Sequence, residues 1–320
     1  HVAGHQLVDL PAGEGVAAAG WDGSVHASSA SPWVPAGLSV WEISANRSPG
    51  TKADHDWAKR STTPDGSPPA DATYVQLILR PWTNRGTWAT ARRAEGKWKD
   101  VRAYGLDDVE TWLETAPVTW AWFSELLNLD PYGLRSVDKW WRTWADQTDP
   151  ALSPEVVLAG RAEEIGKFDS ALKASGIVTV QSASQDDVCA FVAARAIKAE
   201  EAGDDGLSAR LAFVSEIATW RQLLESSGPL VLVALDPEFA KEVPATSHHT
   251  VVVPILDSST ADIELPPLDA SSVKEALMAS GMDDDERADE AGRLARRSIT
   301  ALRRRLARKA ELHQPAWART

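Results

Sequence analysis

Cysteine is nearly absent from this chain: Cys189 is the only one in 320 residues. An intramolecular disulfide framework is therefore excluded, and the lone thiol is typical of a protein in a reducing cytoplasm, the localisation that we expect. Long apolar runs are also lacking, since none approaches the roughly 18 residues that a membrane span requires. The first residues have neither the charged start nor the apolar stretch of a signal peptide. We therefore expect no membrane partner.

Positive charge is in deficit. The chain has 33 Lys and Arg against 46 Asp and Glu, for a net charge of −13. This balance argues against sequence-independent wrapping of nucleic acid, but it allows a local basic groove or an acidic metal site. The chain begins with His rather than Met, so we expect it to be part of a longer protein.

Tryptophan, by contrast, is plentiful and unevenly placed. Thirteen of the 15 tryptophans lie at or before Trp144, and a polar, proline-containing stretch follows around 146–155. Such a composition is typical of a linker. We therefore predict two domains, residues 1–148 and residues 149–320.

Periodicity predicts an α/β fold in both halves. In the first half, strand-like runs alternate with helix-like segments, which favours a mixed sheet with flanking helices. In the second half, near-continuous apolar runs are typical of central parallel strands, and a charged helical region follows to the end. The predicted strands are 38–43, 73–79, 100–104, 177–181, 211–214, 229–235 and 250–255.

Two acids stand out between residues 20 and 60. Asp22 follows a glycine-flanked turn, and Glu42 ends an apolar strand-like run. A buried carboxylate is costly unless it is paired or bound to a metal. Carboxylates from neighbouring strands can hold the Mg²⁺ that phosphodiester hydrolysis uses, and a nearby lysine adds positive charge at the transition state. The alternative is a turn aspartate and a structural glutamate that pairs with Lys52 or Arg60.

These residues belong to a longer pattern that resembles the nuclease core of the PD-(D/E)xK restriction-endonuclease-like superfamily. The resemblance covers roughly the first 145 residues and is most specific between 20 and 60. More narrowly, it is to nuclease domains fused to NTPase modules in prokaryotic antiphage defence proteins. The matching positions are Gly20 to Gly23, Val34-Pro35, Gly37, Ser39, Trp41-Glu42, Ser44, Lys52-Ala53 and Lys59-Arg60.

The resemblance implies that Asp22 and Glu42 are catalytic ligands of Mg²⁺, with Mn²⁺ as a substitute, and that the partner is DNA. One position departs from the pattern. The superfamily lysine belongs two residues after the second acid, where this chain has Ser44. Its role would pass to Lys52 or Lys59. If neither lysine reaches the site, the domain would bind nucleic acid without cutting it.

The second half resembles a P-loop NTPase module of the STAND or AAA+ kind in degenerate form. Gly160-Arg161 looks like the element that commonly precedes such modules. A phosphate-binding loop reads GxxxxGK(S/T), whereas the segment after the strand at 177–181 reads SASQDD, from Ser182 to Asp187. Because it lacks the glycine and the lysine, we expect no ATP binding.

Basic residues elsewhere have two interpretations. Arg80, Arg92, Arg93, Lys97 and Lys99 alternate with tryptophans and could line a DNA groove, although a tryptophan core behind a solvated face is favoured for the aromatics. The arginine-rich segment 293–309 could contact nucleic acid or a partner, but intrachain pairing with the acids before it is favoured.

Together these features predict a Mg²⁺-dependent DNA endonuclease effector of an antiphage defence protein, joined to an NTPase-like scaffold that does not bind nucleotide. A C-terminal sensor region would lie outside the chain, and assembly into a homo-oligomer is open. The alternative is a non-catalytic nucleic-acid-binding or interaction module in which both sites are degenerate.

Overall fold

In the computed structural model, the chain divides into two compact units, His1–Thr115 and Ala116–Thr320. The structure describes residues 5–9, 20–64, 68–204, 206–256, 260–309 and 313. Each unit is built on its own sheet with helices around it. The α/β class and the order of a mixed sheet followed by a mostly parallel one are as predicted.

The first unit holds a mixed sheet of four strands with a fifth at its edge. Strands β1 to β5 lie side by side in chain order. The first three are antiparallel, and β3, β4 and β5 are parallel, so a helix crosses over between each parallel pair. The elements are β1 (His5–Asp9), β2 (Gly23–Ala27), β3 (Gly37–Ser44), α1 (Pro49–Thr62), β4 (Thr73–Ile78), α2 (Arg85–Ala94), β5 (Asp100–Tyr104) and α3 (Leu106–Glu114).

Aromatic side chains fill this unit. Every residue of β4 is buried, as is typical of a central strand covered on both faces. Tyr74 on that strand meets Trp21, Trp57 and Trp98, with ring centroids 5.3–6.0 Å apart. Edge-to-face contacts of this kind add to the stabilisation from burial. The tryptophans around β4 are therefore core residues.

The second unit holds a six-stranded sheet in the order β11-β7-β10-β9-β8-β6. All neighbours are parallel except β6, which joins the edge antiparallel to β8. The strands are β6 (Leu134–Ser136), β7 (Gly176–Gln181), β8 (Leu211–Val214), β9 (Val231–Ala234), β10 (Thr250–Ile255) and β11 (Ile263–Glu264).

Nine α-helices are described in the second unit. The longest contains small buried residues at nearly every turn, which lets it pack closely in the core. None of the helices in the described ranges is long and apolar enough to cross a membrane. They are α4 (Pro117–Leu126), α5 (Val137–Ala145), α6 (Pro154–Leu158), α7 (Ala162–Ala171), α8 (Gln185–Glu201), α9 (Ile217–Leu224), α10 (Ala270–Ala279), α11 (Asp285–Ala295) and α12 (Ile299–Leu306).

The division between the units falls after Thr115, ahead of the predicted boundary at residue 148. The segment between the two positions contributes α4, β6 and α5 to the second unit. Trp140 and Trp144 on α5 belong to the second core, where Trp140 stacks on Phe213 of β8 at 4.9 Å. Both cores contain tryptophan. The density of tryptophan along the chain therefore indicates aromatic packing and does not locate the division between the units.

Candidate functional site

Asp22 and Glu42 are brought together by the pairing of β2 with β3. Asp22 lies directly before β2, whose first residue, Gly23, is opposite Trp41. The Asp22 carboxylate reaches across the pair, where its Oδ2 accepts a hydrogen bond from the backbone N–H of Ile43 at 2.7 Å. This contact places the carboxylate beside the residue that follows Glu42. Glu42 therefore lies within β3, and Asp22 lies directly before the neighbouring strand β2.

Glu42 is buried and paired. Only 6% of the residue is exposed, and its Oε1 accepts a hydrogen bond from Nε of Arg60. Burial raises the pKa of the Glu42 carboxyl, and the negative charges of Asp22 and Asp56 act in the same direction against the lowering effect of Arg60. The structural alternative, in which Glu42 pairs with Arg60, thus describes a contact that is present.

Arg60 ties three parts of the first unit together. Besides Glu42, its guanidinium donates to the carbonyl of Gly20 and lies 4.6 Å from the ring centroid of Trp21. Only 3% of Arg60 is exposed. A guanidinium is suited to this position because it stays charged, donates along a fixed fork and stacks on aromatic faces. It supplies the positive charge beside the two acids.

Helix α1 supplies the cations of the site. Its buried residues are Ala53, Asp56, Trp57 and Arg60, which form one stripe at helical spacing. Asp56 and Arg60 therefore point inward, one turn apart. Lys52 precedes Asp56 by one turn, and its Nζ lies 2.5 Å from Asp56 Oδ1. Lys59 is exposed on another face of the helix.

A chain of hydrogen bonds supports Asp56 from β4. Gln76 lies opposite Glu42 in the parallel register, and its Nε2 donates to the Glu42 carbonyl at 3.3 Å and to Asp56 Oδ2 at 3.4 Å. The hydroxyl of Tyr74 donates to Gln76 Oε1 at 2.7 Å. Gln76 and Asp56 thus link the Lys52 ammonium to the backbone of β3 at Glu42.

The donor set suits Mg²⁺ in its chemistry. Mg²⁺ is usually held by one or two carboxylates together with water and substrate phosphates. Asp22 and Glu42 offer two, although the described part of the chain contains no group of three or more His, Cys, Asp or Glu side chains that could hold a metal. Arg60 already compensates Glu42, so a cation there would compete with the guanidinium.

An ion pair lies in the segment after β7, where a P-loop NTPase would have its phosphate-binding loop. Asp187, in the first turn of α8, accepts two hydrogen bonds from Arg161, each 2.8 Å long, and another from the Ser182 hydroxyl. Arg161 is 2% exposed and also donates to the carbonyl of Pro266. A carboxylate therefore sits at the helix N-terminus, the position that favours negative charge.

The basic residues that could have lined a groove are largely paired within the chain. Arg92 contacts Asp54 and Glu95 at 2.6 and 2.5 Å, and Arg93 contacts Asp100 at 2.7 Å. Trp82, Trp88 and Trp98 are buried, as the structural interpretation expected. In the C-terminal helices, Arg293, Arg303 and Arg305 pair with Asp289, Asp186 and Glu290 respectively.

Three residues of the site were missed from the sequence: Asp56, Tyr74 and Gln76. Asp56 gave a usable signal, since it shares the i, i+3, i+4, i+7 stripe with Ala53, Trp57 and Arg60, and a charge on a buried stripe requires a partner. Gln76 lies between the apolar residues Val75 and Leu77, and a buried amide likewise requires a hydrogen-bond partner.

No protein-family model, curated protein or solved structure matches this chain.

Proposed function

We propose that the first unit is a metal-dependent DNA endonuclease of the restriction-endonuclease-like kind. One observation carries the proposal: Asp22, at the start of β2, reaches the backbone of β3 directly beside Glu42. An acid directly before β2 and another within β3, with a helix carrying a lysine beside them, suit a phosphodiesterase that holds its metal with two carboxylates. The sheet of the first unit, which contains both parallel and antiparallel pairs of strands, supports the same assignment.

Asp22 and Glu42 would hold the metal ion, which when bound would lower the pKa of a coordinated water and neutralise charge on the scissile phosphate. The residues of this chain perform the remaining tasks. Lys52 stands in for the lysine that Ser44 replaces, because it lies next to Asp56 whereas Lys59 is exposed. Its ammonium would offset the negative charge that develops on the phosphate.

Arg60 must release Glu42 for a metal to bind. The guanidinium and a divalent cation would compensate the same buried carboxylate, so binding of one weakens binding of the other. The rival function, a non-catalytic interaction module, keeps Arg60 in place permanently. The second unit would act as an NTPase-like scaffold in which Asp187 and Arg161 replace the phosphates and their counter-charge.

Cleavage of supercoiled plasmid in Mg²⁺ or Mn²⁺ tests the proposed function. We expect the wild type to nick the plasmid, and Asp22→Asn to lower the rate by about 10²-fold or more, as losses of a catalytic group do. Asp71→Asn, an exposed acid of the same unit, is the matched control and should cut like the wild type. Equal nicking by wild type and Asp22→Asn would exclude this site as its source.

A further inference from the structure

Helix α4 of the second unit carries its large apolar side chains on the outside. Its buried residues are small, Val118, Ala121 and Ser124. The exposed ones are large, and they continue into the loop after the helix. These residues, here termed the α4 surface, are Trp120, Trp122, Phe123, Leu126, Leu127, Leu129 and Tyr132, each between 37% and 75% exposed. Large apolar side chains that stay exposed close together usually mark a surface that another molecule covers.

The backbone holds the distal part of the α4 surface in place. Asn128 has a φ of 56°, the left-handed conformation that commonly ends a helix. The N–H of Leu129 then bonds back to the carbonyl of Ser124 at 2.9 Å. Leu127 and Leu129 are thereby fixed on either side of the helix end. The exposed apolar side chains thus belong to one helix and the loop that directly follows it.

The size of the α4 surface is that of one side of a stable dimer. A fully exposed aromatic side chain presents roughly 150–250 Å², so seven large side chains at these exposures present about 700 Å². The largest apolar patch on a typical monomer is roughly 300–600 Å². A standard interface buries about 800 Å² on each partner. Two copies of the α4 surface would therefore suffice for a specific contact.

The charges at the edge of the α4 surface indicate which partner fits. A groove of about 330 Å³ between α4 and α5 is lined by Trp122 and Leu126 and by residues of both signs. The acids are Glu125, Asp138 and Asp146, and the bases are Lys139 and Arg142. A two-fold interface brings the same patch against itself, so a patch with charges of both signs can pair with its own copy. Because acids outnumber bases, an anionic partner such as nucleic acid or a lipid surface is disfavoured.

We propose that the α4 surface is the interface at which two copies of this chain form a two-fold dimer. The inference rests on the second unit alone and stands whether or not the first unit cuts DNA. If it does cut DNA, the dimer supplies the two sites that cleavage of both strands needs.

Light scattering coupled to size-exclusion chromatography measures the outcome. At micromolar concentration we expect the wild type to have the mass of two chains and Leu126→Glu/Leu129→Glu that of one chain. Met278→Glu is the matched control, since Met278 is 42% exposed on helix α10 of the same unit, and it should remain dimeric. Circular dichroism checks that each variant is folded.

Cross-linking gives a second readout that needs no destabilising charge. Cys189 is buried and burial raises its pKa, so a cysteine introduced on the surface would be the reactive thiol. We expect a bismaleimide to join two chains of Leu129→Cys but not of Met278→Cys. A monomeric wild type would overturn the proposal and assign the surface to a different protein. Dimers that persist in the double variant, or the absence of a cross-link through Leu129→Cys in a dimeric protein, would overturn it as well.

Discussion

At the residue scale, the buried carboxylate of Glu42 can be compensated in two ways, by a guanidinium or by a metal ion. Arg60 and a divalent cation would compensate the same carboxylate of Glu42, and the raised pKa of Glu42 indicates that one guanidinium does not fully offset its burial. A buried ion pair contributes little net stability because desolvation cancels much of its attraction. The pair of Arg60 and Glu42 lies beside a second acid, Asp22. This placement is consistent with a site at which a metal ion replaces the guanidinium.

His249 is a residue whose role is structural, and it predicts an acid sensitivity. Its Nδ1 accepts the backbone N–H of Leu230 at 3.1 Å, while its Nε2 faces the carbonyl of Leu224 at 3.3 Å. The ring is therefore neutral, with its proton on Nε2. Burial lowers the pKa of His249, and the neighbouring His248 adds to this. The unfolded chain thus binds a proton before the folded protein does.

We expect the free energy of unfolding to hold above about pH 6.5, the pKa of an unperturbed histidine, and to fall as the pH drops from there towards the lower folded pKa. Thermal unfolding at pH 7.5 and pH 5.5 measures the effect. His249→Asn, whose amide oxygen can replace Nδ1 as acceptor, should lose most of this decrease in stability. His248→Asn, the matched control, should lose only the smaller part that the charge of His248 contributes. An unchanged decrease in His249→Asn would assign the acid sensitivity to other groups.

At the element scale, the start of α8 depends on the pair formed by Arg161 and Asp187. Both side chains are at least nine-tenths buried, and Asp187 receives donors from Arg161 and Ser182. Removing the arginine would leave a buried carboxylate uncompensated, at a cost of about 3–5 kcal/mol. Replacing both by apolar residues of similar size removes that penalty.

Urea unfolding tests this pair. We expect Arg161→Met to lower the free energy of unfolding by about 3–5 kcal/mol and Arg161→Met/Asp187→Leu to regain most of it. The control is Lys167→Met, which breaks the exposed pair with Glu163 and should cost less than about 1 kcal/mol. A loss in the double variant as large as in Arg161→Met would show that packing rather than charge determines the effect.

Elements with strong local signals could be predicted from the sequence, and those fixed by distant partners could not. The apolar runs that became β8 and β10 have the predicted bounds. The strands β1, β2, β6 and β11 were not among the predicted strands. Each is short and partly polar, and β6 exists only because β8 offers an open edge. A pairing between residues about 80 positions apart leaves no periodic signal.

The candidate site divides in the same way. Asp22 and Glu42 could be selected from the sequence because each has a local signal. Asp22 follows a turn, and Glu42 ends a strand-like run. Gln76 joins them only through the parallel register of β3 with β4, which places it opposite Glu42. The choice between Lys52 and Lys59 depended on how α1 rotates against the sheet, and only its packing, with Asp56 and Arg60 inward, favours Lys52.

At the scale of the whole molecule, two units with different chemistry share one chain. The first unit has buried acids and cations beside β3, among them Glu42 and Arg60. The second unit has a carboxylate of its own, Asp187, at the N-terminus of α8. The net charge is −13, and many of the basic side chains that the structure describes pair with acids of the same chain. DNA would then be engaged locally at the carboxylate site, with a dimer through the α4 surface supplying a second copy of it.

The most direct test of the proposed site is an Mn²⁺ titration followed by electron paramagnetic resonance, because it depends on neither a DNA sequence nor a trigger. We predict one binding site per chain in the wild type, tighter binding in Arg60→Met, where the competing guanidinium is removed, and loss of the site in Glu42→Gln. Asp71→Asn should bind like the wild type. Binding that is absent from both wild type and Arg60→Met, or unchanged in Glu42→Gln, would contradict a metal site at Asp22 and Glu42.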